Sequence, residues 1–484
     1  VIPILGFAPD SDPTTPGVLV DCSHLIPFEA GMRGAPSAVD VGVDALAAAC
    51  AGIAGTSDLS GNRRLIAGTA AKLYEQSGTT WTDVSRATDY TLGTDDRWSF
   101  AQFANATIVA TPSAPLQRSV TGDFADISGA PSAKIVVSAK DFVVAFNTSS
   151  YADEWYCSAQ YDDTDWTLDV ATQCVSGRLT NGSGPIVAAA RFGGDIIVYK
   201  QSSMMVARYV GAPAVWDYEP VSTDVGCVGQ EAVVETPMGH IFVGEDNVYL
   251  HDGTTPRPIA TGVIRRWLFA DMAPTYRYKT ICVWDRVNHI VRIMYASTAS
   301  VTGAIDSSVV YHVGSGKWGK DDMAVEAAVN YVTPSLTYDG SSPLFDTYDS
   351  VTTTLSYDSL FWISGIALPA IVSTSHSVRT LSGVTSGAYF LTGIYGDDQG
   401  YSFCRGLRVR FTRAPDSCLL KTYIRMVESG EQDVEDGRPE NSVSKADGKF
   451  DFRQTGRWHS FRVAPTGDFD VTALRIDLVS AGDR

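Results

Sequence analysis

Pairs of short apolar runs, each folded across a tight polar turn, recur through the middle of this chain at a nearly constant interval. Ile135-Val136-Val137 leads through residues 138–141 into Phe142-Val143-Val144-Ala145-Phe146. Residues 186–190 turn at Gly193-Gly194 into Ile196-Ile197-Val198-Tyr199. Val233-Val234 turns near Met238-Gly239 into Ile241-Phe242-Val243, and Ile281-Cys282-Val283-Trp284 turns at residues 285–288 into residues 290–293. The pairs start 51, 47 and 48 residues apart, and an earlier one at residues 98–110 precedes the first by 37. Apolar runs joined by short polar turns are hairpins. A period of about 40–50 residues with four strands per unit marks a β-propeller. One four-stranded blade cannot bury both of its faces, whereas blades stacked around an axis can, and they leave only short protected edges.

A second recurrence supports the same reading. Tyr74, Tyr249 and Tyr311 are each followed by a glycine turn, and seven residues on by Trp81, Pro256 and Trp318. The predicted fold is therefore all-β, with a propeller over residues 61–330. Its spacing is irregular and leaves the blade number open.

The flanks differ from the repeat. Residues 1–60 are rich in Ala, Gly and Asp, and Asp10-Ser11-Asp12-Pro13-Thr14-Thr15-Pro16-Gly17 crowds turn formers together. This region reads as an extended N-terminal arm. Residues 331–400 carry Tyr338-Asp339, Tyr348-Asp349 and Tyr357-Asp358 between Ser, Thr and Gly, and read as a loop-rich excursion that contacts a partner. Residues 401–484 return to strands such as Leu407-Arg408-Val409-Arg410-Phe411, whose alternation predicts sheets with one wet face packed back on the body as a platform.

Composition narrows the function. The net charge is −18 with 44% hydrophobic and 19% charged residues, which excludes a disordered chain and a general nucleic-acid binder. Residues 401–484 hold 14 basic and 13 acidic residues, so the acidity, −19, lies in residues 1–400. Eight cysteines without a CxxC spacing exclude a zinc ribbon and read as buried free thiols, as in a reducing cytoplasm. Residues 1–6 lack the basic and apolar regions of a secretory leader, and no apolar stretch is long enough to span a bilayer.

Reactive constellations are missing. Gly314-Ser315-Gly316-Lys317-Trp318-Gly319-Lys320 follows a strand and fits a phosphate-loop spacing, but Asp321 stands where magnesium needs Ser or Thr, and Trp318 is bulky where backbone must approach phosphate. It reads as a hairpin turn. Asp162-Asp163-Thr164-Asp165 lacks the Gly and closing Glu of a calcium loop and reads as a solvated turn. The seven histidines, at 24, 240, 251, 289, 312, 376 and 459, are scattered singly. Gly78-Thr79-Thr80-Trp81 lacks the aspartate of a sialidase box. No catalytic, cofactor-binding or metal-ligating residue is assigned.

One order of residues is more specific. Leu73-Tyr74 and Gly78-Thr79-Thr80-Trp81-Thr82-Asp83-Val84-Ser85 are followed by Trp98-Ser99-Phe100-Ala101-Gln102-Phe103 and Phe124-Ala125-Asp126-Ile127-Ser128-Gly129-Ala130-Pro131. Asp141-Phe142-Val143-Val144, Trp155-Tyr156-Cys157-Ser158 and Asp165-Trp166 come next. Met204-Met205-Val206-Ala207-Arg208-Tyr209-Val210-Gly211, Gly226-Cys227-Val228 and Arg265-Arg266-Trp267-Leu268-Phe269-Ala270-Asp271 close the series. Over residues 60–370 this series resembles the tail nozzle, or tail tubular and DNA-stabilisation, proteins of short-tailed bacteriophages. The N-terminal arm is outside the likeness and the C-terminal strands match more loosely.

The resemblance implies a non-enzymatic virion protein, a homohexameric ring below the portal and adaptor (head-tail connector). Its channel retains the genome and passes it at ejection, with double-stranded DNA running through without sequence-specific binding. Tail fibres or spikes dock on its side. It implies a location in the virion tail after assembly in the host cytoplasm, with no membrane span. The alternative is a glycan-binding or glycan-cleaving propeller on the phage tail; portal and adaptor genes beside this one would favour the nozzle.

Overall fold

A computed structural model describes residues 1–332, 367–425, 441–442 and 448–481. Four consecutive antiparallel strands repeat along the chain because each run of β-branched and aromatic residues is closed by a Gly, Asn or Asp turn. Blade one is Gly52–Ser57, Arg63–Gly68, Leu73–Ser77 and Thr80–Asp83. Blade two is Ser99–Phe103, Ala106–Thr111, Ala114–Ser119 and Ala125–Asp126. Blade three is Ala133–Ala139, Phe142–Thr148, Glu154–Cys157 and Ser176–Arg178. Blade four is Ile186–Phe192, Asp195–Lys200, Met204–Gly211 and Val215–Ser222. Blade five is Val233–Thr236, Gly239–Val243, Val248–His251 and Arg257–Pro258. Blade six is Ile281–Asp285, Ile290–Tyr295, Ser307–His312 and Trp318–Lys320.

Blade seven is composite. Ala327–Val332, Ala367–Val372 and Val378–Gly383 are joined at the outer edge by Ser37–Asp40 from the chain start. The first strands of successive blades pack side by side, and that of blade seven packs on that of blade one. The described residues therefore form a closed ring of seven blades, a β-propeller whose last blade is locked by a strand from the other end of the chain.

Apolar layers sit between the blades. Phe142, Val144, Phe146 and Trp155 of blade three pack on Ile196, Val198 and Trp216 of blade four. Ile53, Leu65 and Ala67 of blade one pack on Ala327, Val329 and Val372 of blade seven.

The sheet of blade six continues outward. Lys320 pairs with Leu25, and Leu25–Pro27, Met32–Gly34, Asp470–Ser480, Ser402–Arg413 and Lys449–Gly456 follow in order. A second sheet holds Gly6–Phe7, Val18–Ser23, Tyr389–Thr392, Trp458–Thr466 and Ser417–Arg425, with Asn441–Ser442 at its edge. Leu407, Val409, Phe450 and Leu474 of the first sheet share one core with Phe390, Leu420, Phe461 and Val463 of the second. The two make a sandwich beside blades six and seven, in the position of the expected platform.

The flanking boundaries fall elsewhere than the sequence reading placed them. Residues 1–60 are not one extended arm: they give strands to both sandwich sheets, the edge of blade seven and the first strand of blade one. Their Asp10 also accepts the Arg266 and Trp267 backbone N–H groups at 2.5 and 3.0 Å, capping the helix Arg265–Asp271. Within residues 331–400, Ala367–Val372 and Val378–Gly383 are propeller strands and Tyr389–Thr392 belongs to the sandwich, so that stretch is not an excursion throughout. The three Tyr-Asp pairs at 338, 348 and 357 lie outside the described residues. Among the described residues no helix is long and apolar enough to cross a membrane.

Candidate functional site

In a propeller the first strands of the blades surround the axis, and the residues entering those strands meet at one end of it. Here that end is charged. Arg97, entering blade two, places Nε 2.9 Å from Oε2 of Glu231, which enters blade five. Blades two and five stand three apart in the ring, so this pair bridges the axis. The same guanidinium donates to the carbonyl of Cys50, before blade one, at 3.3 Å, and to that of Glu326, before blade seven, at 2.8 Å.

Around it, Lys134 Nζ lies 3.2 Å from Asp96, Lys279 Nζ lies 3.3 Å from Asp95, and Gln230 Nε2 donates to the Lys134 carbonyl at 3.1 Å. Glu326 accepts the Cys50 N–H at 2.9 Å and holds His376 Nδ1 at 2.8 Å. The cluster ties blades one, two, three, five, six and seven together across one end of the axis. Among the described residues it contains no group of three carboxylates, imidazoles or thiols able to hold a metal.

At the far end of the first strands a cavity of about 880 Å³ opens between blades one, six and seven. Thr56, Ser57, Arg63, Arg64, Arg286 and Asn330 line it. Arg64 is held by Glu75, Nη2 to Oε2 at 2.7 Å.

The residues singled out in the sequence do not converge on either place. Gly314–Lys317 is the turn between the last two strands of blade six; Trp318 beyond it is buried, and Lys320 Nζ sits 3.0 Å from Asp322, over the Trp267 ring. Asp162 and Asp165 serve local turns, accepting Thr164 N–H at 2.8 Å and Thr167 N–H at 2.9 Å, whereas Asp163 is buried and meets Arg118 of blade two at 2.5 Å. Among the histidines, His240 and His251 face each other directly across two strands of blade five and both touch the Phe192 ring, while His24, His376 and His459 bond to separate partners, Asp321, Glu326 and Gln454. Burial pushes the thiols of all eight cysteines up, each a free side chain.

Two polar clusters were invisible in the sequence. The axial one is assembled from residues just before different blades, which no local motif links. The other lies inside blade six: the Arg292 guanidinium is buried between Asp321 and Asp285, and His24 of the N-terminal segment reaches Asp321 at 3.1 Å. Its one signal is an arginine inside an otherwise apolar strand, Ile290-Val291-Arg292-Ile293-Met294. The hydrogen bond to Asp321 raises the His24 pKa, against the opposing effect of burial.

No family model matches the chain, and no curated protein matches it. Among solved structures it is similar to YCF48 bound to a D1 peptide, with 11% identity over 73% of this chain and 99% of that one and a TM-score of 0.39. It is similar to BBS1N in complex with ARL6DN, with 11% identity over 72% and 97% of the two chains and a TM-score of 0.39. BamB from Moraxella catarrhalis gives 12% identity over 59% and 74%, with a TM-score of 0.32.

Proposed function

We propose that this chain is a structural virion protein, the nozzle of a short phage tail. It forms a homohexameric ring below the portal and adaptor, retains and releases double-stranded DNA, and carries fibres or spikes on its flank. What supports this reading is the ordered series of residues that resembles such nozzles, spread over five blades and the helix before the sixth. Tyr74 and Trp81 flank the last turn of blade one; Trp98 leads into Ser99–Phe103 of blade two; Trp155 and Trp166 brace blade three. Met204–Gly211 is the third strand of blade four, Cys227 packs under blade five, and Arg265–Asp271 is the helix before blade six.

The bridged axis fits this role. Because Arg97 and Glu231 cross one end of it, the propeller axis is not the conduit in this reading, and the path for a duplex runs between copies around the ring axis. Eight buried free thiols suit assembly in a reducing cytoplasm. No residue is given a catalytic role.

Negative-stain imaging of the purified chain and of virions tests the reading. The expected result is a sixfold ring with an opening wider than a duplex, located at the base of the tail. A chain absent from virions, or rings without an opening, overturns it.

A further inference from the structure

A ring of identical copies built head to tail needs two different surfaces that fit each other on opposite flanks of the chain. The structure offers such a pair. The first is the long connection between Glu154–Cys157 and Ser176–Arg178 of blade three. It is held rigidly: Trp166 is buried and stacks on Tyr156, its Nε1 donates to the Asp163 carbonyl at 3.0 Å, and the Tyr156 hydroxyl donates to the Trp166 carbonyl at 2.7 Å. On this frame Tyr161, Leu168 and Val170 stand out 72%, 57% and 53% exposed, beside exposed Asp162 and Asp169. Three exposed apolar side chains on one fixed loop are available for contact, because nothing in the loop's own packing uses them.

The second surface is the solvent face of the sandwich sheet. Ser402–Arg413 is flanked by strands on both sides, so its exposed side chains point straight into solvent. They are mainly basic: Arg405, Arg408 and Arg410 on that strand, with Arg475 directly opposite Arg408 on one neighbour and Lys449 on the other, against exposed Asp477 and Asp451 opposite Gly406. Arg405, Arg410 and Arg475 have no carboxylate partner among the described residues.

The two are placed to join copies in a ring. The sandwich hangs from blade six; with seven blades around one axis, blade three stands about 150° away. Both also lie at the same end of the propeller. Tyr161 N–H donates to the Asp141 carbonyl in the first turn of blade three, and Arg33 of the sandwich donates to Asn288 in the first turn of blade six. We propose that the blade-three loop of one copy docks on the basic sandwich face of a second copy of this chain. Tyr161, Leu168 and Val170 supply the apolar contact, and Asp162 and Asp169 set the pairing against Arg405, Arg410 and Arg475. This rests on the ring reading above and names the interface that builds the ring.

The test is sedimentation of the full chain over a range of concentration and salt. Asp162→Lys with Asp169→Lys forms one variant, and Arg405→Glu with Arg410→Glu and Arg475→Glu the other. Each alone should weaken self-association about tenfold or more. Mixing the two variants, or combining all five changes in one chain, should restore it, because every contact then pairs opposite charges again. Leu168→Ser with Val170→Ser leaves the aspartate turns intact and should also weaken association, so the test stands even if the Asp162 change disturbs the loop. Association unchanged by all three sets overturns this interface and leaves the ring standing. A wild-type chain that stays monomeric throughout overturns both.

Discussion

At the residue scale, the most sharply constrained titratable group is His240. It is fully buried, with Nδ1 2.8 Å from the Tyr199 hydroxyl and Nε2 2.8 Å from the Arg191 carbonyl. A carbonyl only accepts, so Nε2 carries the proton and Nδ1 accepts from the tyrosine. Protonating the ring would leave two donors facing each other at Nδ1 in a fully buried site. Burial pushes the His240 pKa from about 6.5 down to about 4. The unfolded chain therefore binds this proton at higher pH than the native one, and stability rises with pH across that window. As pH falls from 6.5 to 4 this residue should remove about 3 kcal/mol of stability. Urea unfolding of wild type and His240→Gln checks it: the variant starts less stable near neutrality, and the gap narrows toward pH 4. A constant gap would refute the assignment. His24 works the other way, since its raised pKa contributes stability below the ordinary histidine range that is lost as pH rises through the folded value.

At the scale of elements, closure of the propeller rests on a short strand and a few cross-axis contacts. Ala38 and Val39 pair with Leu381 and Thr380 at the edge of blade seven. Adjacent residues of a strand point their N–H groups in opposite directions, so one of the two must donate to Val378–Gly383. Replacing both by proline removes that bond whichever it is and leaves its carbonyl partner unpaired, which should cost about 1–3 kcal/mol. Hydrogen exchange should then rise first in Val378–Gly383; uniform loss of protection across all blades would argue against a separable closure. The axial pair gives a second expectation. Arg97→Met leaves the Glu231 carboxylate without its partner and two carbonyls without a donor, at about 1–3 kcal/mol. Adding Glu231→Gln should recover part of that loss, because the uncompensated charge is gone; a double-mutant cycle with no coupling would show that the pair does not join the blades. These elements also mark what the sequence could disclose. The recurrent hairpins are the first two strands of blades two to six, and the Tyr-to-Trp turns are the last two strands of blades one and six, because each is a local apolar-turn-apolar pattern. Blade seven stayed hidden, since Ser37–Asp40 and Val378–Gly383 pair across more than 300 residues and neither carries a mark of the other. The Arg97–Glu231 bridge was hidden for the same reason: adjacency at the axis exists only once the ring has closed.

At the scale of the whole molecule, charge is distributed unevenly, and the nozzle reading gives that distribution a use. Residues 1–400 carry −19 and residues 401–484 carry +1. The acidic part is mainly the propeller; the exposed arginines of Ser402–Arg413 sit on the sandwich. A conduit for DNA must not hold it. Lysine and arginine contacts to phosphates supply most non-specific affinity, and each one adds the gain of counterion release. An acidic wall does the reverse, and its repulsion reaches about 8–10 Å at physiological salt, which spans the gap between a duplex and a close-fitting pore. In the proposed six-copy ring that field would multiply, while the basic sandwich faces would be covered against acidic loops of neighbouring copies. Assembly should therefore lower affinity for DNA rather than raise it. The prediction is that assembled rings show no detectable duplex binding at low salt, and that the ring variants with Asp162→Lys and Asp169→Lys, left unassembled with their arginine faces open, bind more strongly than wild type and lose that binding as salt rises. Electrophoretic mobility shifts with random-sequence duplex across a salt series read both outcomes. Tight, salt-sensitive binding by the assembled wild-type ring would mean a basic lumen, and would remove acidity as the reason a genome could slide through it.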